Sequence, residues 1–339
     1  MGDVRNHDPL ERLGPGRGVP QDRYTNPHFC ALNSMLDAVL IGVPKSGSTT
    51  LADWLQTHPG VAMARIKEPN FYAAELDPQS FSESFLRVSP DAGPDYWAQP
   101  DPLPQRHQAF VRRPEDYARL WSNAQPGQLR IEASTSYFWS PSAAHALPAA
   151  NPSATAILVL RNPVDRAFSH YRMARKYGLV SGGFLDELAR DADQPVAWGQ
   201  SENFIALSRY ADAYRRWTAS GIRMHTFIYE QAFADPEVFW IEVQSALGLA
   251  ANPLPHAEKV HAAHDVRWPH LVRFAQHHPV GRWLKDRLPE GLQQRAKAAS
   301  ASAEPLQLST QDRATAWTYF ADDVAELEGL LGKNLSLWT

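Results

Sequence analysis

Apolar residues along this chain gather in short unbroken runs, and between the runs they recur at helical spacing. Ala38–Val43 (AVLIGV) is the first strong run, of the kind buried in a parallel sheet. It enters a Pro/Gly/Ser loop, after which Leu51, Trp54 and Leu55 predict a helix over Ser48–Gln56, stopped by His58-Pro59-Gly60. Short strands are expected at Val61–Met63 and Leu129–Glu132, and a stronger one at Ala154–Leu160 (ATAILVL). Helices are expected over Val164–Tyr177 and Asn203–Ala219, followed by a strand at Arg223–Tyr229, a helix to Leu247 and a last helix over Thr310–Leu331. Residues 73–127 keep no clean period and read as loops and short helices laid over the sheet.

Strands that alternate with helices argue for an α/β fold, a P-loop-like parallel β-sheet sandwiched between α-helices. Residues 1–35, rich in Gly, Pro and Arg, read as an extended or poorly ordered arm, and 36–339 as one domain. Within it, 265–305 is polar, basic and aromatic, broken by Pro269, Pro279 and Pro289, and reads as a lid or packing segment. With 33 Lys and Arg against 37 Asp and Glu, the net charge of −4 argues against a nucleic-acid partner but permits a local anion pocket. The single cysteine, Cys30, excludes a disulfide framework, and no metal site is expected. The lack of a signal-like or membrane-spanning apolar run predicts a cytoplasmic protein.

Chemistry concentrates in the loop after the first strand, Pro44-Lys45-Ser46-Gly47-Ser48-Thr49. A strand, a Gly-bearing turn and a helix start present backbone N–H groups to an anion. Lys45 adds a charge, Gly47 permits close approach, and Ser46, Ser48, Thr49 and Thr50 add hydroxyls. The pattern differs from G-x-x-x-x-G-K-[ST], because the lysine precedes the second glycine. The strand ATAILVL ends in Arg161, where an NTPase would place an Asp beside Mg²⁺. A nucleotide kinase remains the alternative reading.

The segments PKSGSTTL and LVLRNPVDRAFSHY resemble the 5′-phosphosulfate loop and the 3′-phosphate segment of sulfotransferases that use 3′-phosphoadenosine-5′-phosphosulfate (PAPS). KEPNFY, SRYADAYRRW, FIYEQAFADP and LEGLLGKNLSLW are similar to bacterial, carbohydrate-type members of that family. The resemblance implies PAPS as donor without a metal, Arg161 and Ser169 on its 3′-phosphate, and Lys45 against the leaving group. It implies Glu68, beside Lys67, as catalytic base; Tyr229 is a further candidate nucleotide contact, and the basic segment that closes over the 3′-phosphate in many relatives is not obvious here, with Lys259 or Arg267 the candidate to supply it. Glu132, Ser136 and Tyr137 are candidates for the acceptor side; Glu132 is also a candidate to orient Lys45, and Tyr137 fits the core equally well. Relatives carry an E-K-T-P-like segment where this chain reads Glu132-Ala133-Ser134-Thr135-Ser136-Tyr137, which weakens the case for a highly anionic acceptor.

The acceptor is then a hydroxyl of a carbohydrate, glycolipid or natural product, with a peripheral contact to an anionic or lipid acceptor open to 265–305. A non-enzymatic PAPS-fold binding module is a second alternative. His58 and His107 are the rival bases, one in a helix stop and one in a loop. Most of the set Arg166, Arg172 and Arg175 is expected on a solvated helix face.

Overall fold

A computed structural model describes residues 36–255, 269–278, 280–281, 287, 289, 291–292 and 306–339. The arm over 1–35, Lys259, Arg267 and most of 265–305 lie outside the described residues. The described chain runs β1 (Ala38–Gly42), α1 (Ser48–Thr57), β2 (Val61–Met63), β3 (Ile66–Glu68), β4 (Arg106–Gln108), β5 (Leu129–Ala133), α2 (Pro141–Ala150) and β6 (Thr155–Leu160). It continues through α3 (Pro163–Lys176), α4 (Phe184–Ala192), α5 (Ala211–Ala219), β7 (Arg223–Ile228), α6 (Pro236–Ala246), α7 (Pro269–His277), α8 (Thr310–Trp317) and α9 (Ala321–Leu331).

Five strands form a parallel sheet in the order β2-β5-β1-β6-β7. Both β1 and β6 are buried at every position, as unbroken apolar runs require when a sheet is covered on both faces. The two-residue period then divides them. Val39, Ile41, Leu158 and Leu160 join a core with Trp217 of α5 and with Val324 and Leu327 of α9. Leu40, Ile157 and Val159 join a second core with Leu51 and Leu55 of α1 and Phe239, Trp240 and Val243 of α6. A further pair, β3 and β4, runs parallel with Glu68 opposite Gln108; β4 falls in the stretch expected to be loops and short helices.

Three expected helices are interrupted. Over 203–219, Asn203 adopts φ +50° and Arg209 is extended, so α5 starts only at Ala211. The helix expected to run to Leu247 breaks at Asp235-Pro236. Proline disfavours helical geometry at Asp235 and opens α6 instead, with the Asp235 carboxylate accepting from Val238 N at 3.1 Å. The last helix divides into α8 and α9 around Phe320, which is fully buried in a third cluster with Val164 and Tyr171. No described helix is long and apolar enough to cross a membrane.

Asp323 of α9 accepts from Tyr210 N at 2.6 Å and Ala211 N at 3.2 Å, supplying the cap that the start of α5 lacks locally. Removing a cap of this kind costs about 1–2 kcal/mol. Asp323→Ala should therefore lower the melting midpoint by a few degrees in calorimetry, and an unchanged midpoint would show that this bond carries no stability.

Candidate active site

The parallel sheet sends the carboxyl ends of its strands to one edge, where ligands bind in folds of this class. Three segments meet there. The 43–47 loop leaves the central strand β1, Ser134–Ser136 leaves β5 on one side, and Arg161 leaves β6 on the other. Adjacent strands lie about 4.8 Å apart, so the flanking segments stand about 10 Å apart with the loop between them.

The loop is held from within. Ser46 is fully buried, and its hydroxyl donates to Val43 O while accepting from Val43 N at 3.2 Å. This departs from the expectation that the Ser46 hydroxyl faces the ligand; its role is to close the loop. Gly47 sits at φ +80°, and a Cβ there would lie 2.4 Å from Phe233 Cζ and 3.3 Å from Tyr229 Cε2. Backbone conformation and close approach both demand glycine. Helix α1 begins at Ser48 with no side-chain cap, and the first-turn N–H groups of a helix have no partner within it. Ser48 is buried, while Thr49 and Thr50 are half-buried.

Arg161 joins the loop after β1 to the segment after β6. Its Nη1 donates to Lys45 O at 2.7 Å, and its guanidinium lies 4.5 Å from the Tyr229 ring centroid. Tyr229 thus reaches the site as a platform for Arg161. Lys45, at φ +72°, points its ammonium toward α3, with Nζ 3.6 Å from Met173 Sδ. Burial first, then Arg161, Arg166, Lys176 and Arg172, push the Lys45 ammonium down to about 8. Glu132 makes no hydrogen bond to it, since its Oε2 accepts from the Tyr117 hydroxyl and its Oε1 has no partner.

Helix α3 carries Ser169, half-buried, and Arg166, which is fully buried. Of the three arginines Arg166, Arg172 and Arg175, Arg166 is the one that lies in the interior. Its Nε donates to Ser208 Oγ at 2.6 Å and its Nη2 to Phe204 O at 3.0 Å, with burial lowering it to about 10. Both Arg166 Nη1 and Arg161 Nε are buried without a hydrogen-bond partner. A cluster of cations with unpartnered buried donors fits a polyanion. Arg166 escaped the sequence reading because an Arg three positions before Ser169 carries no sign of its burial.

On the opposite side, Glu68 ends β3 buried and clamped. Lys67 Nζ lies 2.7 Å from its Oε1, and Thr135 N donates to Oε2 at 2.7 Å. The Thr135 hydroxyl lies 3.3 Å from both carboxylate oxygens. Ser134 Oγ accepts from Asn70 N at 3.1 Å, and Ser136 Oγ donates to Asn70 Oδ1 at 2.6 Å. Ser136 therefore braces the Glu68–Asn70 turn, and Thr135, which sequence reading missed, positions the carboxylate itself.

Behind them Glu132 is fully buried, accepting from Tyr117 Oη at 2.8 Å. Burial raises its carboxyl to about 7. Tyr137 is fully buried, its hydroxyl accepting from Tyr72 N at 3.2 Å, so of its two candidate roles the structure places it in the core. Of the rival bases, His58 uses both ring nitrogens: Nδ1 accepts from Gly60 N and Nε2 donates to Ala250 O, each at 3.0 Å. His107 is exposed on β4. Among the described residues no group of three or more His, Cys, Asp or Glu is arranged to hold a metal ion.

Residues 38–253 match the model of the sulfotransferase family. Among curated relatives, human heparan sulfate glucosamine 3-O-sulfotransferase 6 is 27% identical over 219 residues, covering 62% of this chain and 52% of its own length. A bifunctional heparan sulfate N-deacetylase/N-sulfotransferase 1 from Caenorhabditis briggsae is 29% identical over 143 residues, 42% of this chain and 13% of that protein. The chain thus spans about half the length of one curated relative and a small part of the other. The sulfotransferase structure from Alicyclobacillus acidocaldarius superposes with a TM-score of 0.60 at 21% identity, covering 89% of this chain and 98% of that one.

Two outcomes follow from the loop. Gly47→Ala should weaken binding of adenosine 3′,5′-bisphosphate at least about tenfold in calorimetry. Unchanged affinity would mean that the loop does not hold the nucleotide. A bound polyanion favours charged Lys45, whose ammonium is lost as pH rises through about 8. Affinity should therefore fall about tenfold between pH 7 and pH 9, and Lys45→Met should flatten that profile. A flat wild-type profile would place the lysine back at its ordinary value.

Proposed function

The chain belongs to the sulfotransferase family, and from that premise we propose that it moves the sulfuryl group of PAPS onto an acceptor hydroxyl by in-line displacement. The observation that carries this reading is the Arg161–Lys45 link, which joins two cation-bearing segments beside a helix start and leaves buried donors unpartnered. The nucleotide supplies a sulfuryl group on a phosphate leaving group. Thr49, Thr50 and the first-turn N–H groups of α1 hold its 5′ end, and Arg161 with Ser169 holds the 3′-phosphate.

In the transfer the acceptor oxygen bonds to sulfur as the bridging S–O bond breaks. The acceptor proton passes to the Glu68 carboxylate, and the electron pair goes to the phosphate oxygen, where Lys45 stabilises the developing charge. Lys67 and Thr135 keep the Glu68 carboxylate oriented for this step.

Two observations favour a hydroxyl of a neutral carbohydrate, glycolipid or natural product over a polyanionic glycan. Lys67, the cation beside the base, is already paired with Glu68. Position 133 carries Ala, fully buried, in place of the lysine of the E-K-T-P-like segment. The heparan sulfate named for the relatives is thus a weaker fit than a neutral sugar. A bacterial, carbohydrate-type origin, a cytoplasmic location and a single domain over 36–339 complete the reading.

Sulfur-labelled PAPS offered with a panel of neutral glycans, lipid-linked sugars and alcohols should give a labelled product. Intact nucleotide binding with no transfer to any acceptor would favour a binding module, and Mg²⁺-dependent ATP binding a kinase. Glu68→Gln should cut turnover by about a hundredfold or more while leaving adenosine 3′,5′-bisphosphate affinity nearly unchanged. Full activity in that variant would remove Glu68 as the base.

A further inference from the structure

The residue after Arg161 is held both by the first turn of α3 and by two parts of the chain far away in sequence. Asn162 Oδ1 accepts from Val164 N at 3.0 Å and Asp165 N at 3.3 Å, which caps the start of α3. Its main-chain N–H donates to Glu230 Oε1 at 2.9 Å. Its Nδ2 donates to the main-chain oxygen of Trp338 at 2.6 Å. The indole Nε1 of Trp338 then donates to Glu230 Oε2 at 2.8 Å, which closes a ring of three residues.

Each member of this ring is chemically constrained. Both groups facing Glu230 are pure donors, a main-chain N–H and an indole N–H, so only an acceptor on both oxygens satisfies them. Asn162 and Trp338 are buried, so a broken bond there leaves a polar group without water. Trp338 also packs against Tyr210, ring centroids 6.2 Å apart, and the Tyr210 hydroxyl donates to Arg161 O at 2.9 Å.

The ring grips both halves of the guanidinium stack. Asn162 follows Arg161, and Glu230 follows Tyr229, the ring on which Arg161 lies. We infer that Trp338 and Glu230 are positioning residues for the nucleotide site: they fix Arg161 and the start of α3 and thereby set recognition of the 3′-phosphate without touching it. This rests on the reading that Arg161 and Ser169 bind that phosphate.

The experiment compares calorimetric affinities for adenosine 3′,5′-bisphosphate and for 5′-AMP, which lacks the 3′-phosphate, at a temperature where each variant is folded by circular dichroism. The ratio of the two affinities reads the 3′ site alone. Glu230→Gln places an amide donor against a donor and should reduce that ratio about tenfold. Trp338→Phe, which keeps the ring and the main-chain oxygen and removes one N–H, should reduce it several-fold while staying folded. A purely structural role would lower both affinities or the melting midpoint and leave the ratio as it is. Arg161→Ala separates the two ideas. If Arg161→Ala collapses the ratio while Glu230→Gln and Trp338→Phe preserve it, the positioning role is overturned and the 3′-phosphate reading stands. If Arg161→Ala itself preserves the ratio, that reading falls and the inference falls with it.

Discussion

The hydrogen bond from Arg161 to the Lys45 carbonyl is the constraint around which the site is arranged. It ties the loop after β1 to the segment after β6. Through the Tyr229 platform it reaches the turn after β7 as well. Because the donor group that makes this bond is used, the guanidinium keeps a fixed orientation, with its buried Nε still unpartnered. A pair of adjacent strands thus delivers its two loops already locked in register, before any anion arrives.

That arrangement has an electrostatic cost. Lys45, Arg161 and Arg166 repel one another in a desolvated space, and the lowered Lys45 and Arg166 values record it, with burial the larger cause in each. Hydrogen bonds with neutral groups hold the arrangement: Arg166 donates to Ser208 Oγ and to the Phe204 carbonyl, and the Tyr210 hydroxyl donates to the Arg161 backbone oxygen. Neutral partners keep the geometry without cancelling the charge. A carboxylate in their place would compete with the polyanion for the same cations.

The sheet and the loop were legible because each depends on local sequence. Unbroken apolar runs dictated the buried strands β1 and β6, and Gly47 with Lys45 marked the turn between β1 and α1. What escaped depends on tertiary contact. Nothing local tells that Phe233 packs against Gly47, that Arg166 is buried against the Phe204–Ser208 turn, or that Trp338 reaches Asn162 across 176 positions. The breaks in the long helices belong partly to this class. Pro236 announces one of them, whereas the break at Phe320 follows from a ring turning into the third core. Ser46 shows the reverse error, since a hydroxyl in a phosphate loop looks like a ligand donor until its partner within the loop is seen.

The two sides of β1 solve different problems with different chemistry. On the β6 side, cations are concentrated and held by hydrogen bonds to neutral groups. On the β5 side, the Glu68 carboxylate is compensated by Lys67 and by Thr135 N–H, and the hydroxyls of Ser134 and Ser136 brace the adjacent turn. A carboxylate held by a main-chain N–H cannot rotate freely, so its orientation is fixed. The β6 side is thus organised by charge and the β5 side by direction, with the loop after β1 between them.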